Sequence, residues 1–223
     1  MNIYVVVEGE IGASKVYEKW INYLNPSLTV VYRIEDIKEN NYFIKGGGGF
    51  PDLKNRIIKN SVEEINELQN IDRFVVAVDS EESTFDEKKK EFSEYIESCN
   101  CYAKYYLIVQ HFCFETWALA NRKAGPTYPK SEKLKEYKSF FDVTQKDPEL
   151  LPSYPKLELN RSQFAYKYLI TMLNDKYRNL SYSKTNTKAI QELSYFTEIK
   201  RRMEQTNHIL SFKQFLEAFQ EIK

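Results

Sequence analysis

The chain has 223 residues, 42% of them hydrophobic and 15% aromatic, enough for one sizeable core or two small domains, which excludes a disordered or fibrous chain. Lysine plus arginine number 32, as do aspartate plus glutamate, so a uniformly basic nucleic-acid coat and an acidic tail are both excluded and partners must be recognised locally. The cysteines Cys99, Cys101 and Cys113 lack the second pair and the histidines of a zinc site, and the first apolar run is too short for a signal or membrane segment; we therefore expect reduced thiols and a cytoplasmic protein that does not enter a membrane.

Ile3 to Val7 is an apolar, largely β-branched run that reads as a central strand buried on both faces and stops at Glu8-Gly9-Glu10. Val16, Tyr17, Trp20, Ile21 and Leu24 recur at helical spacing, which predicts a helix from about Ala13 to Leu24. Thr29 to Ile34 reads as a second strand, Tyr42 to Ile44 as a short third, and Gly46 to Gly49 as a flexible loop. A helical period then runs from Asp52 to Leu68 through Leu53, Ile57, Ile58, Val62 and Ile65. Phe74 to Val78 is a second buried-strand run, and it too ends in acid, at Asp79-Ser80-Glu81-Glu82. Phe85, Phe92, Tyr95, Ile96 and Cys99 mark a helix, Tyr105 to Val109 the last clear strand, and Phe114, Trp117 and Leu119 a short apolar helix. Strands alternating with helices predict an α/β fold with a mostly parallel central sheet flanked by helices.

Composition changes after Gly125-Pro126, where Pro129, Pro148, Pro152 and Pro155 accompany an irregular stretch. From Arg161 onward the signals are helical, with aromatic stripes that read as core and with Ser211 and Gln214 spaced as a capping box. These features divide the chain into an α/β core over 1–124 and a mainly helical region over 125–223 packed on it. Residues 1–124 carry 15 Lys/Arg against 20 Asp/Glu, and residues 125–223 carry 17 against 12. That polarity suits a metal site made by the sheet and a phosphate-contacting surface made by the helices.

Ligands of open parallel sheets bind beyond the carboxyl ends of the strands, and here those ends carry acids twice. Glu8 follows the first strand; Asp79 and Glu81 follow a later one at alternate positions, so both face one side if the chain stays extended. Carboxylates converging on one sheet edge repel each other unless a hard cation sits among them, and Mg²⁺ takes oxygen ligands together with substrate phosphate. For any one of these acids a solvated turn or helix cap is the plainer reading. Glu115, just past the last strand, either completes a metal shell or braces its helix with a buried hydrogen bond. His111 sits at the same strand end, as a turn residue or as a proton-transfer group. His208 has no comparable setting and reads as surface or packing. Gly46 to Gly49 offers backbone N–H groups but lacks the Lys-Ser/Thr of a phosphate loop. Lys156, Arg161, Lys167, Lys176, Arg178, Lys184 and Lys188 are cations that can line a nucleic-acid path or simply solvate helix faces.

Val7-Glu8-Gly9 and Val78-Asp79-Ser80-Glu81 resemble the two motifs of the Toprim domain, shared by topoisomerases, primases and small bacterial nucleases. His111-Phe112-Cys113-Phe114-Glu115-Thr116-Trp117-Ala118-Leu119-Ala120 is similar to a Cys-Phe-Glu-x-Trp-Leu-Leu segment of Toprim-like proteins from bacterial defence and restriction-linked operons, and Tyr182-Ser183-Lys184 is weakly similar to them. The resemblance implies a Toprim-like sheet, general acid or base chemistry at Glu8, and Mg²⁺ or Mn²⁺ held by Asp79 and Glu81, with Glu8 close to the metal. Glu81 departs from the family's usual aspartate, and Glu82 is an alternative ligand. The implied function is a metal-dependent nuclease acting on DNA or RNA, an antiphage effector in which Lys184 contacts the substrate phosphate. A non-catalytic Toprim-like module that binds a partner ATPase or a nucleic acid stays open beside it, as does a nucleotide-processing phosphotransferase, for which no nucleotide loop is present.

Overall fold

The computed structural model describes residues 1–9, 11–176 and 182–220. Five strands form its sheet: β1 (Ile3–Val7), β2 (Thr29–Val31), β3 (Asn41–Gly46), β4 (Arg73–Asp79) and β5 (Lys104–Gln110). They lie in the order β2-β3-β1-β4-β5 and every pairing is parallel. The all-apolar β1 occupies the centre because both of its faces are covered. Ile3, Val5 and Val7 enter one hydrophobic cluster, while Tyr4 and Val6 enter another on the opposite side.

The connections explain those two layers. Helix α1 (Ile11–Leu24) lays Val16, Tyr17, Trp20 and Ile21 on the first face. On the second, α2 (Lys59–Leu68) supplies Val62 and Ile65, and α3 (Phe85–Ser98) supplies Phe92 and Ile96. A π-helical turn, Leu53–Ile58, leads into α2. Thr84 caps α3 in a reciprocal capping box with Glu87, a device the sequence carries plainly as Thr-x-x-Glu. Because α1 leaves β1 toward one face and α3 leaves β4 toward the other, the adjacent carboxyl ends of β1 and β4 open into a crevice between diverging connections.

The helices α4 (Phe114–Leu119), α5 (Glu132–Phe140), α6 (Arg161–Lys176), α7 (Lys188–Gln191), α8 (Leu193–Thr206) and α9 (Phe212–Phe219) complete the first face. A single cluster there contains Ile3, Trp20, Trp117, Phe164, Phe196 and Phe215, so one core crosses position 124. Hydrogen bonds cross it too: Trp20 Nε1 donates to the Ile190 carbonyl at 3.0 Å and Arg73 Nη1 to the Ala218 carbonyl at 2.6 Å. Arg202 is fully buried and donates to the carbonyls of Ala120, Val143 and Lys146, and burial lowers its pKa to about 10. His208 packs against that guanidinium, its Nδ1 lying 3.0 Å from Arg202 Nη2.

Three local expectations are corrected. The second strand stops at Val31 rather than Ile34, because Ile34–Asp36 winds into a 3₁₀ turn. The proline-rich stretch is not wholly irregular: Ser131 caps α5, and Leu134 and Tyr137 anchor it in the core. Ser211 forms no capping box, since its backbone is helical and its Oγ instead accepts from Trp117 Nε1 at 2.6 Å and donates to Glu149. Among the described residues no helix is long and apolar enough to cross a membrane.

Candidate functional site

At the end of β1 the ladder continues one residue further, with the Glu8 N–H donating to the Ala77 carbonyl at 2.9 Å. Gly9 then turns the chain at φ +95°, a conformation open to glycine, and α1 begins two residues later. Glu8 Oε2 accepts the Asp79 backbone N–H at 2.9 Å, so the ends of β1 and β4 are joined by the first of the acids itself. Burial pushes the Glu8 carboxyl above its ordinary value, against the Asp79 N–H, and the Glu81 charge adds to the rise.

The Asp79 carboxylate lies deeper. Its Oδ1 is shielded from solvent and has no hydrogen-bond partner among the described residues. Burial raises its pKa well above the ordinary value, the charges of Glu8 and Glu115 add to that rise, and the Lys184 ammonium opposes it. Glu115, in the first turn of α4, is only 6% exposed and accepts the Tyr182 hydroxyl on Oε1 at 3.0 Å. Glu115 is thus braced by a buried hydrogen bond, one of its two readings from the sequence, and it lines the same cavity as Asp79. That cavity, of about 270 Å³, is lined by Glu8, Asp79, Glu115, Tyr182, Lys184 and Thr185, with Ala13 and Phe114 as apolar wall.

Its outer rim is the segment 182–187, held by an unusually close approach. A Cβ at Gly12 would stand 1.8 Å from the Lys184 carbonyl oxygen, and Thr187 Oγ1 donates to the Gly12 carbonyl at 3.2 Å. Only glycine lets the rim sit directly on α1. Sequence reasoning missed Gly12, Thr187 and the glutamate-bracing role of Tyr182. A glycine inside an otherwise amphipathic helix was the available signal for Gly12, because it commonly marks close contact with other backbone.

Other candidates do not line the cavity. Glu81 is exposed, and the chain does not stay extended beyond Asp79: Glu81 takes φ +50°, its N–H donates to the Phe112 carbonyl at 2.8 Å, and its own carbonyl accepts from Arg161 Nη2 at 2.9 Å. The extended backbone that the alternation of Asp79 and Glu81 needs ends at that turn, although the Glu81 charge still acts on both Glu8 and Asp79. Glu82 faces Arg161, with Nε and Oε2 3.5 Å apart. His111 does not line the cavity; its Nδ1 is 2.8 Å from Ser80 Oγ, and burial followed by the Arg161 charge lowers its pKa. In the glycine-rich loop, the Gly47 N–H donates to the Gly9 carbonyl at 2.9 Å, which sets the loop against the Glu8 turn. Among the basic residues, Lys156 pairs with Glu136 at 2.5 Å, whereas Arg178 lies outside the described residues.

Among the described residues no group of three or more His, Cys, Asp or Glu side chains is arranged to hold a metal ion. The pair Glu8 and Asp79 nonetheless fits Mg²⁺, which is commonly held by one or two carboxylates and retains waters for its other positions. The orphaned Asp79 Oδ1, shielded beside two further acids, is the donor such a cation would satisfy. Fold and cavity thus define an α/β protein with an acid-lined crevice at the switch point of a parallel sheet. No family model, curated protein or solved structure matches the chain.

Proposed function

We propose that the crevice is the active site of a Toprim-like, metal-dependent phosphodiester hydrolase acting on DNA or RNA in the cytoplasm, as an effector of antiphage defence. The observation that carries the reading is the meeting of Glu8 and Asp79 at adjoining strand ends, with Asp79, its Oδ1 shielded and unpartnered, lining a cavity that also presents the Lys184 cation. When bound there, Mg²⁺ or Mn²⁺ would neutralise charge developing on the phosphoryl oxygens.

The chain's own residues supply the remainder. Glu8, half-buried and with its carboxyl pKa raised, takes a proton from the attacking water. Asp79 and Glu8 would hold the cation. Lys184 draws the substrate phosphate to the cavity mouth, and Tyr182 fixes Glu115 so that it orients water on the opposite wall. His111 and Glu81 stand outside the cavity, where they shape the turn after β4.

Purified protein given single-stranded and duplex DNA and RNA with Mn²⁺ should cleave at least one of them, and Glu8→Gln and Asp79→Asn should each abolish cleavage. Cleavage that persists in both variants eliminates this chemistry. A second reading, a non-catalytic module binding a partner ATPase or a nucleic acid, draws support from Glu81 not being one of the residues that line the cavity. It predicts no thermal stabilisation by Mg²⁺ or Mn²⁺.

A further inference from the structure

The rim segment that closes the acid-lined cavity also forms the wall of a second one. Thr187 lines the first cavity and the next residue, Lys188, lines the second, which has a volume of about 670 Å³. The second cavity is basic: among the described residues, Lys123, Lys176 and Lys188 line it against one acid, Glu192. Lys123 follows α4, Lys176 ends α6 and donates to the Lys123 carbonyl, and Lys188 opens α7, so three elements converge on one place. The adjoining buried acid, Glu198, is already surrounded by Arg122 at 3.1 Å, Arg201 and Lys123 at 3.8 Å. Its single charge is shared among three cations, Lys123 of the cavity being one of them.

In a chain with 32 acidic and 32 basic residues, this local surplus of cations is a directed feature. We infer that the basic cavity is a backbone subsite for a polynucleotide whose strand runs over the 184–188 rim, with one phosphodiester at Glu8 and Asp79 and its neighbours on Lys184, Lys188 and Lys123. A polynucleotide fits better than an acidic peptide, because its evenly spaced phosphodiesters present repeated anions to the lysines and one of them can reach the acids next door through a shared divalent cation. The inference rests on the hydrolase reading of the first cavity, but the binding it predicts does not depend on turnover.

The test measures binding of a fluorescent single-stranded oligodeoxynucleotide to the full chain in EDTA, across a potassium chloride series. Each lysine that contacts phosphate contributes about 0.7 to the slope of log affinity against log salt, so K123A/K188A should flatten that slope by about 1.4 and weaken binding roughly tenfold. K59A, on the far side of the sheet, should change neither. K188E alone repeats the measurement in a chain with a single exposed substitution, and circular dichroism checks that each variant folds. Unchanged slope and affinity in both lysine variants, or displacement by polyglutamate as effective as by unlabelled oligonucleotide, would overturn the inference. Lysine-dependent binding by a protein that cleaves nothing in Mn²⁺ would support the subsite and overturn only the hydrolase reading.

Discussion

Replacing Asp79 with asparagine should make the protein more stable and deaf to divalent cations. The Asp79 Oδ1 atom is shielded and unpartnered, and Glu8 and Glu115 repel the carboxylate, whereas the backbone bond from Asp79 N–H to Glu8 survives the substitution. A buried polar atom left unpaired costs about 1–3 kcal/mol, and the asparagine amide adds a donor that either neighbouring carboxylate can accept. For a chain of this length each kcal/mol moves the midpoint by about 2–4 °C, so D79N should melt roughly 2 to 12 °C higher in EDTA at neutral pH. The sign with pH follows from linkage. Folding raises the Asp79 pKa above its ordinary 3.8, so the folded state holds the proton longer; its contribution is complete below 3.8 and is lost as pH rises through the folded value. D79N lacks that loss, and its advantage should widen from acid toward neutral pH. Scanning fluorimetry of both proteins across pH, with EDTA and with Mn²⁺, reads all of this. A variant that melts below the wild type at neutral pH in EDTA, or that responds equally to Mn²⁺, refutes the picture of an acid held for a cation.

Gly12→Ala should force the rim off α1, at a cost of about 1–3 kcal/mol for overpacking, and should speed tryptic cleavage after Lys184; an unaltered cleavage rate contradicts the docking described. Tyr182→Phe removes the hydroxyl that donates to Glu115 and should lower stability in urea by about 1.5–3 kcal/mol, and a loss within experimental scatter would show that the bond contributes nothing. Burial raises the Glu149 pKa from 4.5 to about 7, so the stability associated with its proton is complete below 4.5 and fades as pH rises through 7. In Glu149→Gln that part of the pH dependence, about 3 kcal/mol, should vanish from unfolding curves, and a pH profile identical to the wild type's would contradict the assignment.

The five strands and the helices packed on them are legible in the sequence because each element carries its own period. Ile3–Val7 and Phe74–Val78 are continuous apolar runs, and a run buried on both faces needs no partner information to be recognised. Helix α5 escaped because only Leu134 and Tyr137 of its residues are buried, too few to stand out among flanking prolines. The Ser211–Gln214 spacing misled for a different reason: the serine hydroxyl is held by Trp117 and Glu149, partners that lie 94 and 62 positions away.

The acids divide along the same line. That Glu8 and Asp79 end strands is a local fact, written in the few residues before each of them. That they meet is decided by strand order, which seats β4 beside β1 and sends their helices to opposite faces. The fate of Glu81 turns on a left-handed residue just past the strand, stabilised by the Phe112 carbonyl and by Arg161 from a distant helix. The rim over the cavity is more remote still, since residues 182–187 reach α1 only through the space left open at Gly12. Periodicity and composition act over a turn or a strand, and they settled the elements and their chemistry. Hydrogen bonds and close contacts between residues 67 to 175 positions apart cost chain entropy that only the assembled core offsets, so the cavity itself belongs to the tertiary structure.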